Sequence, residues 1–211
     1  MMKIQLLVDN PKSWFMPYAN ELESELKRLG YDVFIIEQHD SIEEGDILVL
    51  LSCGKICKNL HLNKHNIVVH DSNLPNGRGW SPATWLILDG QNDITVTLFE
   101  AQPTVDSGRI YYQDQLHLNG TELIDEWQYK SAQIIKRLVH KFIENYPNNI
   151  GIEQQGEPTY YSKRTPKDSE LDLNKTLDEQ FNLLRVCDNK QYPSYFIKNG
   201  IKYILKIEKE K

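Results

Sequence analysis

The chain has 211 residues, of which 40% are hydrophobic and 26% charged, with a formal net charge of −6 and a pI near 5.5. That composition supports a packed core and excludes global disorder, while the acidic balance excludes an overall basic field for nucleic acid. The longest apolar run, Ile47 to Leu51, falls far short of the roughly 20 residues of a membrane helix. Charged Lys3 and Asp9 bracket an N-terminal apolar stretch of strand length, not a signal peptide. Three cysteines, an odd number, fit a reducing compartment. The expectation is a soluble, cytoplasmic, globular protein with no membrane and no nucleic-acid partner.

In chain order, Ile4 to Val8 reads as a buried strand closed by Asp9, Asn10 and Pro11. Leu22, Leu26 and Leu29 recur at helical spacing between Tyr18 and Leu29, and Gly30 stands where a C′ glycine ends a helix. Val33 to Ile36, Ile47 to Ser52 and Asn66 to His70 are further short apolar strands. Such strands, separated by helical or loop connections, predict an open, mostly parallel α/β sheet with helices on both faces. Pro82 to Leu88 predicts a short helix with Ser81 as N-cap and Pro82 in the first turn. Ile94 to Ala101 and Ile110 to Leu118 predict two more strands, joined by a loop that holds Pro103, Asp106 and Gly108. A long helix is expected from Thr121, with Trp127, Ile134, Ile135, Leu138 and Phe142 on one face and Pro147 at its end.

Composition shifts after Pro147, which predicts a main domain over 1–147 and a small α+β tail over 148–211. From Glu157 to Lys211 there are 11 Lys/Arg and 9 Asp/Glu, so the tail is the less acidic piece. It is expected to hold a helix from Leu177 to Val186 and a hairpin of Tyr195 to Lys198 with Lys202 to Ile207, turned by Asn199-Gly200. That hairpin has enough apolar surface to pair with another chain or to pack on its own domain, so a homodimer is one expectation.

Phosphate-binding glycine fingerprints and the GxSxG elbow are absent. Cys53 and Cys57 have no second pair to complete a zinc site. His61 and His65, four apart, would share a side only on a helix, and no metal is expected. Two places carry chemistry. His70 ends a strand, and ligands gather at the carboxyl ends of strands in open α/β sheets. The loop from Asp71 to Pro82 is rich in turn formers, with glycines on both sides of Arg78, and can bring backbone N–H groups close to a ligand. A strand-end histidine and an Asp-Ser-Gly turn also have purely structural readings.

Together these residues resemble the formyltransferase family that uses 10-formyltetrahydrofolate. The family pattern, roughly His-x-Ser-x-Leu-Pro-x-x-Arg-Gly, is matched by His70, Ser72, Leu74, Pro75, Arg78 and Gly79. The Asp-x-Gly loop is matched by Asp106-Ser107-Gly108. In the tail, Lys163-Arg164-Thr165-Pro166, Asp172, Asn182-Leu183-Leu184-Arg185 and Tyr192-Pro193 resemble the branch that acts on nucleotide-linked amino sugars. The chain departs from the pattern at Val68, where the family has an asparagine that polarises the formyl oxygen. Asn66 lies one further alternate position back, and Asn73 or Asn76 are other candidate substitutes.

The resemblance implies a Rossmann-like formyltransferase sheet, with His70 as the proton-shuttling imidazole and Asp106 as its carboxylate partner. With Val68 in place, the oxyanion donor would be a backbone N–H or protonated His70. It implies a folate co-substrate between Leu51, Cys53, Gly54 and Ile56 on one side and the loop from Gln102 to Asp106 on the other. Lys12, Ser13 and Trp14 would serve the phosphate, hydroxyl and ring of the acceptor, Trp14 having an equal reading as a packing residue. Arg78 would either face the acceptor or clamp its own loop. The dispersed, nearly balanced cations after Glu157 favour a small nucleotide sugar over tRNA as acceptor. The expected function is formyl transfer to such an amino sugar, in the service of polysaccharide or modified-sugar synthesis. The alternatives are a binding module that has lost turnover at Val68 and a glycinamide ribonucleotide formyltransferase.

Overall fold

The computed structural model describes residues 1–210. Six strands form one sheet: β1 (Lys3–Leu7), β2 (Asp32–Ile36), β3 (Gly45–Leu50), β4 (Asn63–His70), β6 (Asp93–Glu100) and β7 (Ile110–His117). Between β4 and β6 lie the short β5 (Arg78–Gly79) and the helix α2 (Pro82–Leu88). The sheet order is β2-β1-β3-β4-β6-β7. The pairs from β2 to β4 are parallel, whereas β4 with β6 and β6 with β7 are antiparallel.

Helix α1 (Met16–Arg28) connects β1 to β2, and α3 (Ile124–Asn145) follows β7. Leu22 and Leu26 of α1, Ile87 of α2, and Trp127, Ile135, Leu138 and Phe142 of α3 join Ile4, Leu6, Ile47, Val49 and Ile67 in one core. The opposite face holds Leu7, Ile36, Leu48 and Leu50. The expected two-sided cover is uneven, because single 3₁₀ turns at His39–Ser41 and Leu60–Leu62 cover that second face while α1 to α3 pack on the first. The chain between β2 and β4 is too short for a long helix and contributes Ile42, Cys57 and Leu60 instead.

Three local expectations change. Ser81 adopts a left-handed conformation and makes no side-chain cap bond to α2, so the Pro-led first turn starts the helix without it. Helix α3 begins at Ile124, not Thr121, because Asn119 Oδ1 accepts from Thr121 N and Oγ1, and Glu122 takes Asn119 N, which ties those residues into a turn. Glu126 then accepts from Leu123 N at 2.8 Å, which satisfies one backbone donor at the helix start.

The segment after Pro147 returns to the sheet unit three times. Ile152 bridges Ile110, β8 (Tyr160–Tyr161) pairs in parallel with β5, and α4 (Phe181–Arg185) leads to Val186 in the main core. The helix expected over 177–186 shrinks to α4 because the Gln180 side chain bonds backbone groups of Asp172, Lys175 and Thr176 and holds the preceding residues as turns. Strands β9 (Ser194–Lys198) and β10 (Ile201–Leu205) form the hairpin across Asn199 and Gly200, both at positive φ as a two-residue turn of this kind requires. No helix among the described residues is long and apolar enough to cross a membrane.

Candidate active site

His70 is the last residue of β4, where alternation places it on the same side as Val68, whose side chain packs with the second-face cluster. The chain then turns sharply, Ser72 N donating to His70 O at 2.9 Å. The following loop folds back on the ring, and His70 Nε2 donates to Gly77 O at 2.9 Å. A carbonyl only accepts, so Nε2 carries the hydrogen and Nδ1 holds the lone pair of the neutral ring. The ring stands edge-on to Phe99, with centroids 6.4 Å apart. This turn depends on Gly77, at φ +74, where a Cβ would lie 2.8 Å from the Tyr161 ring.

Asp106 arrives from the loop between β6 and β7. Its Oδ2 accepts from Gly79 N at 2.8 Å and lies 3.7 Å from His70 Nε2. Residues 36 positions apart in the chain thus meet at one cavity edge. Three devices hold this loop. A Cβ on Gly108 would sit 1.7 Å from Glu100 O, so only glycine fits. Gln154 Nε2 donates to both Asp106 O and Gly108 O at 2.8 Å. Gln154 Oε1 in turn accepts from Arg78 Nη2 at 2.7 Å. Arg78 neither faces the cavity nor bonds the carbonyls of its own loop. Its guanidinium reaches Gln154 and the Tyr160 hydroxyl and does not line the cavity.

A cavity of about 550 Å³ opens beside His70 and Asp106. Leu51, Cys53, Gly54, Ile56 and Gln102 line it, as do Lys12, Ser13 and Trp14. Trp14 also packs edge-on against Phe15 and Tyr18. Ser13 Oγ donates to Ser52 Oγ at 3.0 Å. Asp9, which sequence reasoning passed over, organises the 52–57 segment. Its carboxylate accepts from Gly54 N at 2.9 Å and Lys55 N at 3.0 Å and contacts His39 Nε2 at 3.1 Å. Two backbone N–H groups of this cavity wall are therefore committed to Asp9. The Cys53 thiol is pushed up to about 12, chiefly by burial and then by Asp9, and is no nucleophile.

None of the expected asparagine substitutes faces the cavity. Asn66 Nδ2 donates to Leu60 O, Asn73 Oδ1 accepts from Gln113, and Asn76 is exposed away from the lining. His61 and His65 are not a helical pair, because His65 lies on β4 with its ring on Glu100 and Tyr111. A second cavity of about 270 Å³ adjoins the first. Trp14, Asp71, Trp80, Gln128, Lys163 and Tyr192 border both, so the tail contributes to the wall. Asp71, inside the motif but at a position the pattern leaves open, was not foreseen as a site residue.

No family model matches the chain. It is 28% identical over 144 residues, 68% of its length, to the methionyl-tRNA formyltransferase of Thermosipho melanesiensis, of which the match covers 47%. The chain spans about half the length, or less, of the curated relatives it matches. Among solved structures, methionyl-tRNA formyltransferase from Clostridium thermocellum superimposes with a TM-score of 0.85 at 20% identity, covering 100% of this chain and 94% of that one. A sugar N-formyltransferase from a Shewanella species gives 0.74 at 16% identity, covering 100% and 98%. HypX from Aquifex aeolicus, in complex with tetrahydrofolic acid, gives 0.79 at 15% identity, covering 98% and 37%. At these identities the solved structures show a shared fold.

Proposed function

We propose that the chain, similar in sequence and in fold to formyltransferases, moves a formyl group from 10-formyltetrahydrofolate to the amine of a nucleotide-linked amino sugar. The observation that carries this reading is the His70–Asp106 pair, 3.7 Å apart, on the wall of a cavity large enough for a drug-sized ligand. Acyl transfer to an amine needs a group that takes a proton from nitrogen and returns one to the leaving group. The free Nδ1 of His70 suits that task, while Gly77 O fixes the ring and Asp106 lies beside it. The donor's flat ring would lie against Leu51, Cys53, Gly54, Ile56 and Gln102, whose apolar walls and backbone groups suit a heteroaromatic system. Lys12, Ser13 and Trp14 would meet the acceptor.

A small acceptor is supported by the wall that Lys163 and Tyr192 build against Trp14 and Trp80. These aromatic and cationic groups suit a base and its phosphates. Val68 favours a second reading, a module that binds these ligands without turnover. The deciding assay mixes the protein with 10-formyltetrahydrofolate and a panel of nucleotide amino sugars and follows tetrahydrofolate release. Release that depends on an acceptor supports the enzyme; binding of both ligands without release supports the module.

The donor wall yields its own expectation. Asp9→Ala frees Gly54 N and Lys55 N and loosens the 52–57 segment. Losing about 1.4 kcal/mol of order there raises the donor KM about tenfold. Acceptor KM, measured in the same initial-rate series, stays within about twofold.

A further inference from the structure

At the end of β4 the chain presents two titratable side chains to one cavity. His70 approaches from the side of Val68 and Phe99. Asp71, the next residue, leans toward α3, where Ser131 Oγ donates to its Oδ1 at 3.1 Å. Asp71 lines both the large cavity and its side chamber. Among the described residues no lysine, arginine or histidine forms an ion pair with it, and Ser131 supplies its one hydrogen bond. A half-buried carboxylate without a cation is costly. Burial pushes its carboxyl above the ordinary range, against the opposing pull of His70 and Ser131. Other carboxylates nearby are differently placed: Asp9 is committed to Gly54, Lys55 and His39, Asp106 to Gly79, and Asp188, which also borders both cavities, accepts from Lys190 N at 2.7 Å.

We infer that Asp71 is the group that receives the acceptor's amine, its carboxylate pairing with the incoming ammonium at the junction of the two cavities. The inference rests on the formyltransferase reading above and adds to it a residue and a step. The ammonium passes one proton to Asp71 and becomes a neutral amine whose lone pair faces the formyl carbon on the His70 side. The new C–N bond forms, the formyl oxygen takes the negative charge, and the nitrogen now bears the positive charge. His70 Nδ1 takes the proton from that nitrogen. The bond between the formyl carbon and the donor nitrogen then breaks, and His70 returns its proton to that nitrogen. Asp71 releases its proton to solvent after the product leaves, so one proton is liberated for each ammonium formylated.

The test compares wild type with Asp71→Asn in initial-rate assays that use 10-formyltetrahydrofolate and a panel of nucleotide amino sugars. A hydroxyl analogue of the acceptor, lacking the amine, serves as competitive inhibitor. The expected result is a fall of about 10²-fold or more in acceptor kcat/KM, the scale of a lost proton acceptor. Donor KM and the inhibition constant of the hydroxyl analogue stay within about twofold, which a distorted fold would not allow. Ser131→Ala keeps the carboxylate and loses only its tether, so acceptor kcat/KM falls by a few-fold. Acceptor kcat/KM within about threefold of wild type in Asp71→Asn overturns the inference alone, as do parallel losses in donor KM and analogue binding. Absence of acceptor-dependent release from the wild-type protein across the whole panel overturns the formyltransferase reading, and this inference with it.

Discussion

His70→Ala lowers acceptor-dependent tetrahydrofolate release by about 10²–10⁴-fold, the range over which a positioned proton shuttle contributes. The geometry gives the ring one open nitrogen. Nε2 is held by Gly77 O at 2.9 Å with Asp106 Oδ2 at 3.7 Å, so only Nδ1 can exchange a proton with a ligand. Removing the ring leaves the donor wall at Leu51, Cys53 and Gln102 intact, so donor binding by calorimetry changes little while turnover collapses. Asp106→Asn has a mixed effect. Its amide keeps an oxygen for Gly79 N, which accounts for the loop, but loses the negative charge 3.7 Å from the ring. A smaller loss than in His70→Ala is therefore expected, with donor KM unchanged. Release that persists at the wild-type rate in His70→Ala would remove the imidazole from the chemistry.

The parts of this site that follow from local chemistry were legible in the sequence. Strand β4 shows as an apolar run ending at His70, and α2 occupies the span expected from Pro82 to Leu88. Asn199-Gly200 signals its hairpin because both residues accept positive φ. What was hidden is what distant segments do to one another. Strands β5 and β8 are two residues each and exist only because Arg78-Gly79 meets Tyr160-Tyr161, and no period of two can show in so short a run. Gln154 stitches Arg78 to the Asp106 loop from a polar stretch that reads as a linker. The resemblance, not spacing, brought His70 and Asp106 together on paper, and the same pattern hid Asp71 because it treats that position as free. An acid directly after a strand-end histidine, in a chain with Val68 where the resembled pattern has asparagine, was the signal available.

The largest stability effect is expected at the seam between the tail and the sheet unit. Arg185→Ala destabilises the protein by about 3–5 kcal/mol, the scale for removing one member of a buried ion pair. Arg185 is 1% exposed. Its guanidinium donates to Glu122 O at 3.1 Å and Asn92 Oδ1 at 3.0 Å and approaches Glu122 Oε2 at 3.4 Å. Trp127 Nε1 bonds the Arg185 carbonyl. Truncation removes all the guanidinium bonds and leaves a void in α4 against α3. Urea denaturation read by tryptophan fluorescence measures the loss, and an unchanged midpoint would show that α4 contributes little to folding.

The same cluster sets an acid limb. Burial alone would raise the Glu122 carboxyl, but the Lys130 ammonium at 2.6 Å and the Asn119 N–H outweigh it and bring the group from the usual 4.5 to about 2. A folded-state value below the unfolded one means that the contribution is complete above about pH 4.5. It fades as the pH falls and is lost once the pH passes below about 2. A depression of that size corresponds to roughly 3 kcal/mol. Glu122→Gln carries no charge to protonate, so its unfolding free energy is lower at neutral pH and flatter between pH 5 and 2 than that of wild type. Parallel curves for the two proteins over that window would mean that other carboxylates, not this buried one, govern acid unfolding.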